Sequence, residues 1–273
     1  MNGVIIKLVS NDYTVLTEKG TFVCKARGKF RNMNVSPVVG DKVIIDINDK
    51  IILKVLKRKN CLIRPQTANV DEVVIITSLK HPDFDSNLLD KLLTIISWNN
   101  IKPIIIFTKI DLVDMNDYNK IIDYYKKIYD VYLNTEIDEI KKIFKNKICV
   151  FTGQSGAGKS TLLNKLNINL KLKTNEISLS LGRGKHTTRH VELLNVSGGL
   201  VADTPGFSKI DFIGMTKENI RDNFLEFNKY RNECKYRDCM HDKEDNCFIK
   251  EKVFDGTILK SRYTNYLNFI HKG

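Results

Sequence analysis

The stretch "KPIIIFTKIDL", residues 102–112, decides how the chain is read. Its apolar run has the continuous β-branched character of a strand buried on both faces. The run ends on Thr108, Lys109, Ile110 and Asp111, polar groups at the carboxyl end of a buried strand, where open α/β sheets place their ligand contacts. The neighbouring segments keep one rhythm. "DEVVIITSL" is a second buried strand, and "DSNLLDKLLTIISWNN" has helical spacing with Asp85 or Ser86 as N-cap. "NDYNKIIDYYKKIYD", "VYLN", "TEIDEIKKIFKN" and "KICVFTG" then read as helix, strand, helix and strand, and "HVELLNV" and "GLVADTPG" as two further strands. Such alternation predicts an α/β fold: a parallel or mixed sheet with helices on both faces.

"GQSGAGKS" fits the spacing G-x-x-x-x-G-K-[ST], with Gly153, Gly158, Lys159 and Ser160 at the defining positions and Gln154, Ser155, Gly156 and Ala157 between them. It follows a strand and opens the helix "KSTLLNKLN", the context that makes the motif meaningful. Backbone N–H groups of residues 154–161, through Thr161, can wrap a β-phosphate, aided by the positive end of the helix. Lys159 reaches the β and γ oxygens, and Ser160 offers a hydroxyl to Mg²⁺. "DTPG" ends the next apolar strand. There Asp203 can hold Mg²⁺ through water, and the Gly206 N–H can meet a γ-phosphate. Between the two lies "LGRGKHTTRH", where Thr187 or Thr188 can cap Mg²⁺ when a γ-phosphate is present, an order–disorder switch. Spacing does not choose between the two threonines, and the same basic loop also suits RNA.

Asp111 can accept two hydrogen bonds from guanine, from N1–H and from the 2-amino group. Adenine offers neither donor, so the carboxylate would be left unpaired against it, and the discrimination should be strong. Lys109 can lie along the base and Thr108 can tie strands together. Thr108 stands where the usual guanine motif has Asn. The loop after the next strand, "LNTE", does not match a second guanine contact, and no residue is carried over from it. Guanine motif, phosphate loop, switch threonine and "DTPG" thus come in an order that is a circular permutation of the ordinary GTPase order. Permutation is tolerated because domain termini often lie close together. The two residues after "DTPG" are Phe207 and Ser208, not the glutamine that orients water in many GTPases, so intrinsic hydrolysis is expected to be slow. His186 is the candidate to orient or deprotonate water in its place.

The remainder of the chain adds two parts. Residues 3–57 read as about five short strands in a small all-β barrel of the OB type. The loop "KARGKFRNMNVSP" carries Lys25, Arg27, Lys29 and Arg31 around Phe30, a composition that grips phosphates and stacks on a base. "RKNCLIRPQTAN" reads as a linker. From about Thr216 the chain turns helical and basic, and "CKYRDCMHDKEDNC" spaces Cys234, Cys239, His241 and Cys247 as C-x₄-C-x-H-x₅-C. Three thiolates and an imidazole close a structural tetrahedral zinc site. Lys235, Arg237, Lys243 and the tail "KSRYTNYLNFIHK" surround it with charge and tyrosines that suit RNA.

Composition agrees. The 273 residues carry a net charge of +12, which points to a polyanionic partner. No segment approaches the roughly 18 apolar residues that span a bilayer. The opening lacks a signal-peptide pattern. A cytoplasmic protein with reduced cysteines and no membrane partner is expected. The divisions follow as 1–67 (barrel), 68–215 (permuted GTPase) and 216–273 (helical zinc-binding part).

On "ANVDEVV", "TKIDL", "GQSGAGKST", "GRGKHTTRH", "DTPGF" and the cysteine cluster, essentially the whole chain resembles the ribosome small-subunit-dependent GTPase A family. That resemblance implies a monomeric factor that binds GTP or GDP and the 30S subunit with its 16S rRNA. It acts late in subunit maturation, with hydrolysis to GDP and phosphate stimulated by the subunit. It also implies rRNA contact by the zinc-binding part. Because permutation makes "DTPG" the last element of the GTPase part, the nucleotide state should reposition the zinc-binding part. Two other readings are an RNA-binding assembly module with a vestigial nucleotide site and an ATP-using kinase, which "TKID" disfavours.

Overall fold

The computed structural model describes residues 1–27, 30, 36–63, 66–166, 192–203 and 211–272. The switch loop with His186, Thr187 and Thr188 lies outside them, as do Gly206, Phe207 and Ser208.

Strands β1 (Asn2–Val9), β2 (Asp12–Thr17), β3 (Gly20–Ala26), β4 (Lys42–Asp46) and β5 (Ile51–Val55) close into a barrel in the order β1-β2-β3-β5-β4. The β3–β5 seam is parallel and the other pairings are antiparallel. Alternation sends Ile5, Val15, Cys24, Val43, Ile45 and Ile52 inward, all fully buried, as a barrel this small requires. The loop after β3 differs from its sequence reading. Lys25 and Arg27 are exposed, but Phe30 is only 7% exposed, so its ring is not presented to a base.

The expected linker is partly structured. β6 (Cys61–Ile63) and β7 (Gln66–Ala68) form an antiparallel ribbon. Asn60 and Asn69 anchor its base: Val70 N–H donates to Asn60 Oδ1 and Lys59 N–H to Asn69 Oδ1, both at 2.9 Å. Arg58 donates to both oxygens of the fully buried Asp41, at 2.7 and 2.8 Å, tying the ribbon's entry to the barrel.

A six-stranded sheet follows in the order β10-β9-β8-β11-β13-β12. Its strands are β8 (Glu72–Ser78), β9 (Lys102–Thr108), β10 (Asp130–Leu133), β11 (Ile148–Gly153), β12 (Leu193–Val196) and β13 (Gly199–Asp203). β10 runs parallel to β9 and β11 to β13, while β12 is antiparallel, so the sheet is mixed. Every residue of β8 is buried, as its continuous apolar run requires. The helices between are α1 (Ser86–Trp98), α2 (Asn116–Lys126), α3 (Ile137–Phe144) and α4 (Lys159–Leu166). Asp85 caps α1 by accepting from Leu88 N–H at 3.0 Å. Leu89, Leu92, Leu93 and Ile96 form its buried stripe.

The last segment holds α5 (Lys217–Asp222), α6 (Phe248–Phe254) and α7 (Lys260–Lys272) with short 3₁₀ turns. It is packed around Ile220, Phe224, Phe227, Ile249, Tyr266 and Ile270. The basic tail is exposed on one side only: Lys260 and His271 face solvent, while Arg262 and Tyr266 are fully buried. Arg262 meets Asp90 of α1 at 2.7 Å and both Glu226 oxygens at 2.6 and 2.8 Å. Asp90 also accepts from Tyr125 Oη at 2.6 Å and Asn265 Nδ2 at 2.7 Å.

By contacts the chain divides into two compact units. One comprises Met1–Val74, Thr135–Thr152 and Gly158–Phe207; the other comprises Ile75–Asn134, Gly153–Ala157 and Ser208–Gly273. The guanine motif, the first half of the phosphate loop and the whole cysteine cluster share the second unit.

Candidate nucleotide and metal sites

The motif at the end of β9 is shaped for presentation. Thr108 is buried, and its hydroxyl donates to the Ala157 carbonyl of the phosphate loop at 2.6 Å, with the Thr77 carbonyl of β8 at 3.3 Å. A side chain with a hydroxyl at this position therefore pins the guanine motif to both the neighbouring strand and the phosphate loop. Lys109 takes a left-handed backbone, φ 58°, and its ammonium donates to the His81 carbonyl. Ile110 then opens a 3₁₀ turn, Ile110–Leu112, which carries Asp111 into solvent. The Asp111 carboxylate has no partner among the described residues, as a base-reading acceptor needs.

Asn134, in the stretch from which no residue was carried over, directly follows β10, the strand beside β9. Its N–H donates to the Phe107 carbonyl at 2.9 Å, and its Oδ1 is buried without a protein partner. Nothing in the local residues signals this, because an Asn after a strand is ordinary turn chemistry.

In the phosphate loop, Gly153, Gly156 and Gly158 all have positive φ: 134°, 77° and 92°. Gly153 is the most constrained, since a Cβ there would overlap the Ile76 carbonyl oxygen of β8. The strand and loop backbones approach as closely as glycine allows. Gly153→Ala is expected to destabilise the protein by about 2 kcal/mol or more, because both the conformation and the space are wrong. Chemical denaturation measures this directly, and an unchanged midpoint would mean the close approach is not maintained in solution. The Ala157 N–H closes the turn onto the Gln154 carbonyl at 3.2 Å, and Leu162 N–H onto Gly158 at 2.9 Å. Ser155 and Thr161 are exposed; Lys159 and Ser160, on the first turn of α4, are half-buried. Asp203 ends β13, one residue before the undescribed part of "DTPG".

The four predicted metal ligands converge: their ligand atoms all lie within 4.8 Å of one another. His241 Nδ1 is 3.6 Å from Cys234 Sγ and 3.4 Å from Cys247 Sγ, and the two sulfurs are 4.0 Å apart. Tetrahedral Zn–S and Zn–N bonds of about 2.3 and about 2.0 Å give edges of about 3.5 to 3.8 Å, so the donor set fits that ion. His241 Nε2 is buried without a hydrogen-bond partner, and its ring stands perpendicular to Phe227 at 5.6 Å. Tyr263 Oη holds the His241 carbonyl at 2.6 Å, and Glu244 accepts from Met240 and Asp242 N–H at 2.6 and 2.8 Å. Burial pushes the His241 imidazole down to about 4, leaving a neutral ring able to donate its lone pair. Burial, with neighbouring thiols, pushes Cys239 up to about 12, so metal uptake must displace protons. The remaining cysteines behave as expected of isolated ones: Cys24 and Cys149 are buried and Cys61 is half-buried.

Among the described residues no helix is long and apolar enough to cross a membrane.

The comparisons with known proteins agree with this geometry. Residues 55–213 match the family described as RsgA GTPase, and residues 2–51 match the RsgA N-terminal domain. The chain is 44% identical to the small ribosomal subunit biogenesis GTPase RsgA of Enterococcus faecalis, covering 99% of this chain and 94% of the relative. It is 46% identical to the RsgA 2 protein of Oceanobacillus iheyensis, covering 99% and 96%. Among solved structures it resembles YjeQ from Thermotoga maritima, with a TM-score of 0.84 at 34% identity over 99% of this chain and 97% of that one. It also resembles YloQ, described as a circularly permuted GTPase, with a TM-score of 0.81 at 36% identity over 99% and 94%. A closed N-terminal barrel, a guanine motif that precedes the phosphate loop, and a C-terminal Cys₃His cluster are thereby placed together: the chain belongs to the RsgA GTPase family, a family of GTP-hydrolysing enzymes.

Proposed function

We propose that this GTPase binds the small (30S) ribosomal subunit through 16S rRNA late in subunit maturation. It hydrolyses GTP to GDP and phosphate, and the bound subunit raises its turnover. The observation that carries the nucleotide half is the Thr108–Ala157 hydrogen bond, which joins the guanine motif to the phosphate loop within one compact unit. The subunit half is supported by the relatives, whose names describe small ribosomal subunit biogenesis, and by the net charge of +12.

In this reading Asp111 reads guanine, and Thr108, Lys109 and Ile110 hold it in place. Backbone N–H groups of the loop from Gly153 through Thr161, including Gln154, Ser155, Gly156, Ala157 and Gly158, wrap the β-phosphate. Lys159 neutralises the β and γ oxygens. Ser160 and Asp203 would hold Mg²⁺, which spreads the charge developing on the transferred phosphoryl group. Thr187 or Thr188 would add a further hydroxyl to Mg²⁺, and the Gly206 N–H would meet the γ-phosphate. His186 orients the attacking water. His186→Ala is expected to lower subunit-stimulated turnover about a hundredfold while leaving GTP affinity unchanged. Full stimulated turnover in this variant would remove His186 from the mechanism.

Zn²⁺ on Cys234, Cys239, His241 and Cys247 is structural, since the donor set leaves no open position. Cys239→Ser should lose stoichiometric zinc by elemental analysis and destabilise the C-terminal segment by several kcal/mol, on the order of the metal's contribution in small zinc folds. Equal zinc content in this variant would contradict the assignment. Residues 1–67, 68–215 and 216–273 serve as RNA-binding barrel, permuted GTPase and zinc-binding part of a cytoplasmic monomer.

Because Arg262 locks the zinc-binding segment onto α1, that segment moves with the guanine motif as one body when the nucleotide changes. The test is co-sedimentation with 30S subunits, in GDP and in a non-hydrolysable GTP analogue. Tighter binding with the analogue is expected; equal affinity would sink the coupling, since equal affinity shifts nothing.

A further inference from the structure

One cleft in the second unit plays no part in the sites above. It has a volume of about 230 Å³ and lies between α2, the 3₁₀ stretch around Glu226–Tyr230, and the loop of residues 256–259. Its rim carries Lys120, Lys127 and Lys229, all exposed and none with an ion-pair partner among the described residues. Three free ammonium groups around one opening repel one another, and an anionic partner removes that cost. The floor is rigid. Tyr124 Oη donates to the buried Glu226 at 3.2 Å, and Glu226 is in turn fixed by Arg262. Tyr230 forms part of the wall, its ring also beside Phe248 and Lys252. Two residues before the cleft's Gly256, at the end of α6, Phe254 is 95% exposed. A phenylalanine almost wholly in water buries almost none of its apolar surface in the fold.

We propose that this cleft and Phe254 form a binding site for unpaired RNA. The three lysines hold consecutive phosphates, Tyr230 flanks an entering base, and Phe254 stacks on the next. Cations that track a backbone beside sequence-indifferent aromatic faces are the recognition chemistry of single strands. A duplex keeps its bases stacked and has none to offer. The inference rests on the RNA reading above and names where on this chain an unpaired segment is held. It adds a surface composed of α2 and the C-terminal segment, distinct from the basic loop after β3.

The test uses the full-length protein with bound metal and a labelled single-stranded RNA of about 12 nucleotides, followed by anisotropy across a salt series. The K120Q/K127Q/K229Q variant is compared with K141Q/K142Q/K145Q, which removes the same charge at the C-terminal end of α3. The cleft variant should bind about tenfold or more weakly, and its log–log salt slope should fall by about 2, near 0.7 per phosphate contact. The α3 variant should match the unaltered protein. Phe254→Ala should lose at least about fivefold in affinity with an unchanged slope, the signature of stacking without charge.

If the unaltered protein binds no RNA, this inference and the RNA reading fail together. If it binds and the two lysine variants behave alike, the cleft alone is overturned. Polyglutamate competing as well as RNA at equal charge would make it a general anion site and overturn the assignment. So would a Phe254→Ala variant that changes self-association but not RNA affinity. Circular dichroism confirms that each variant is folded; the control also breaks the surface pairs of Lys141 with Asp138 and Lys142 with Glu139, each worth little.

Discussion

Asp111→Asn is expected to weaken GTP binding between about a hundredfold and ten-thousandfold and to favour xanthosine triphosphate instead. The argument is one of donors and acceptors. Asp111 stands exposed on the turn after β9 and offers two acceptor oxygens to the N1–H and 2-amino donors of guanine. Asparagine keeps one acceptor and replaces the other with a donor, which faces the 2-amino group donor to donor. Two hydrogen bonds to a charged acceptor contribute on the order of 1.5 to 3 kcal/mol each, hence the size of the loss. Xanthine has a carbonyl in place of the amino group and accepts the new donor. Competition of GTP, ATP and XTP for the unaltered and variant proteins reads the effect. ATP competing as well as GTP in the unaltered protein would instead revive the kinase reading, and an unchanged GTP affinity in the variant would remove Asp111 from base recognition.

Arg262→Met should be among the most destabilising single substitutions in the chain, on the order of 3 to 5 kcal/mol. The guanidinium is fully buried between Asp90 and Glu226 and lies 4.4 Å from the Phe224 ring centroid. Burial already holds the Asp90 carboxyl above its usual range despite that cation beside it. Without Arg262 two carboxylates remain in a dry core with no positive charge to answer them. Met fills the space but supplies none of the five donors. Removing all three charges together should cost less than removing Arg262 alone, because no uncompensated ion is then left behind. The only tryptophan of the chain, Trp98, ends α1 close to Gly214, so its fluorescence in a denaturant series reports this region. A shift of less than about 1 kcal/mol would mean that the cluster is hydrated in solution.

What the sequence disclosed and what it hid have physical reasons. "TKID" and "GQSGAGKS" are legible because each demands particular chemistry at particular backbone angles. The positive φ values at Lys109, Gly153, Gly156 and Gly158 are the structural form of that demand. The zinc ligands are legible because four soft donors in one loop have few other uses. β6 and β7 went unread because three-residue strands show no period, and what orders them is distant: Thr67 pairs with Val39, and Asn60 with Val70. The basic neighbours of Phe30 suggest a surface position, yet burial is decided by what packs against a ring, not by what flanks it in sequence. Arg262 sits in a basic stretch for which composition likewise suggests a surface. Its partners Asp90 and Glu226 lie 172 and 36 residues away, and local composition carries no sign of them.

The central claim of the proposed function is that this GTPase answers to the small ribosomal subunit. Its most direct test is the steady-state rate of GTP hydrolysis with and without purified 30S subunits, with Lys159→Ala as the control. A slow rate alone, a rise of tenfold or more with subunits, and no turnover in Lys159→Ala under either condition are the predicted results. A rate indifferent to subunits, or one that survives Lys159→Ala, would contradict the account.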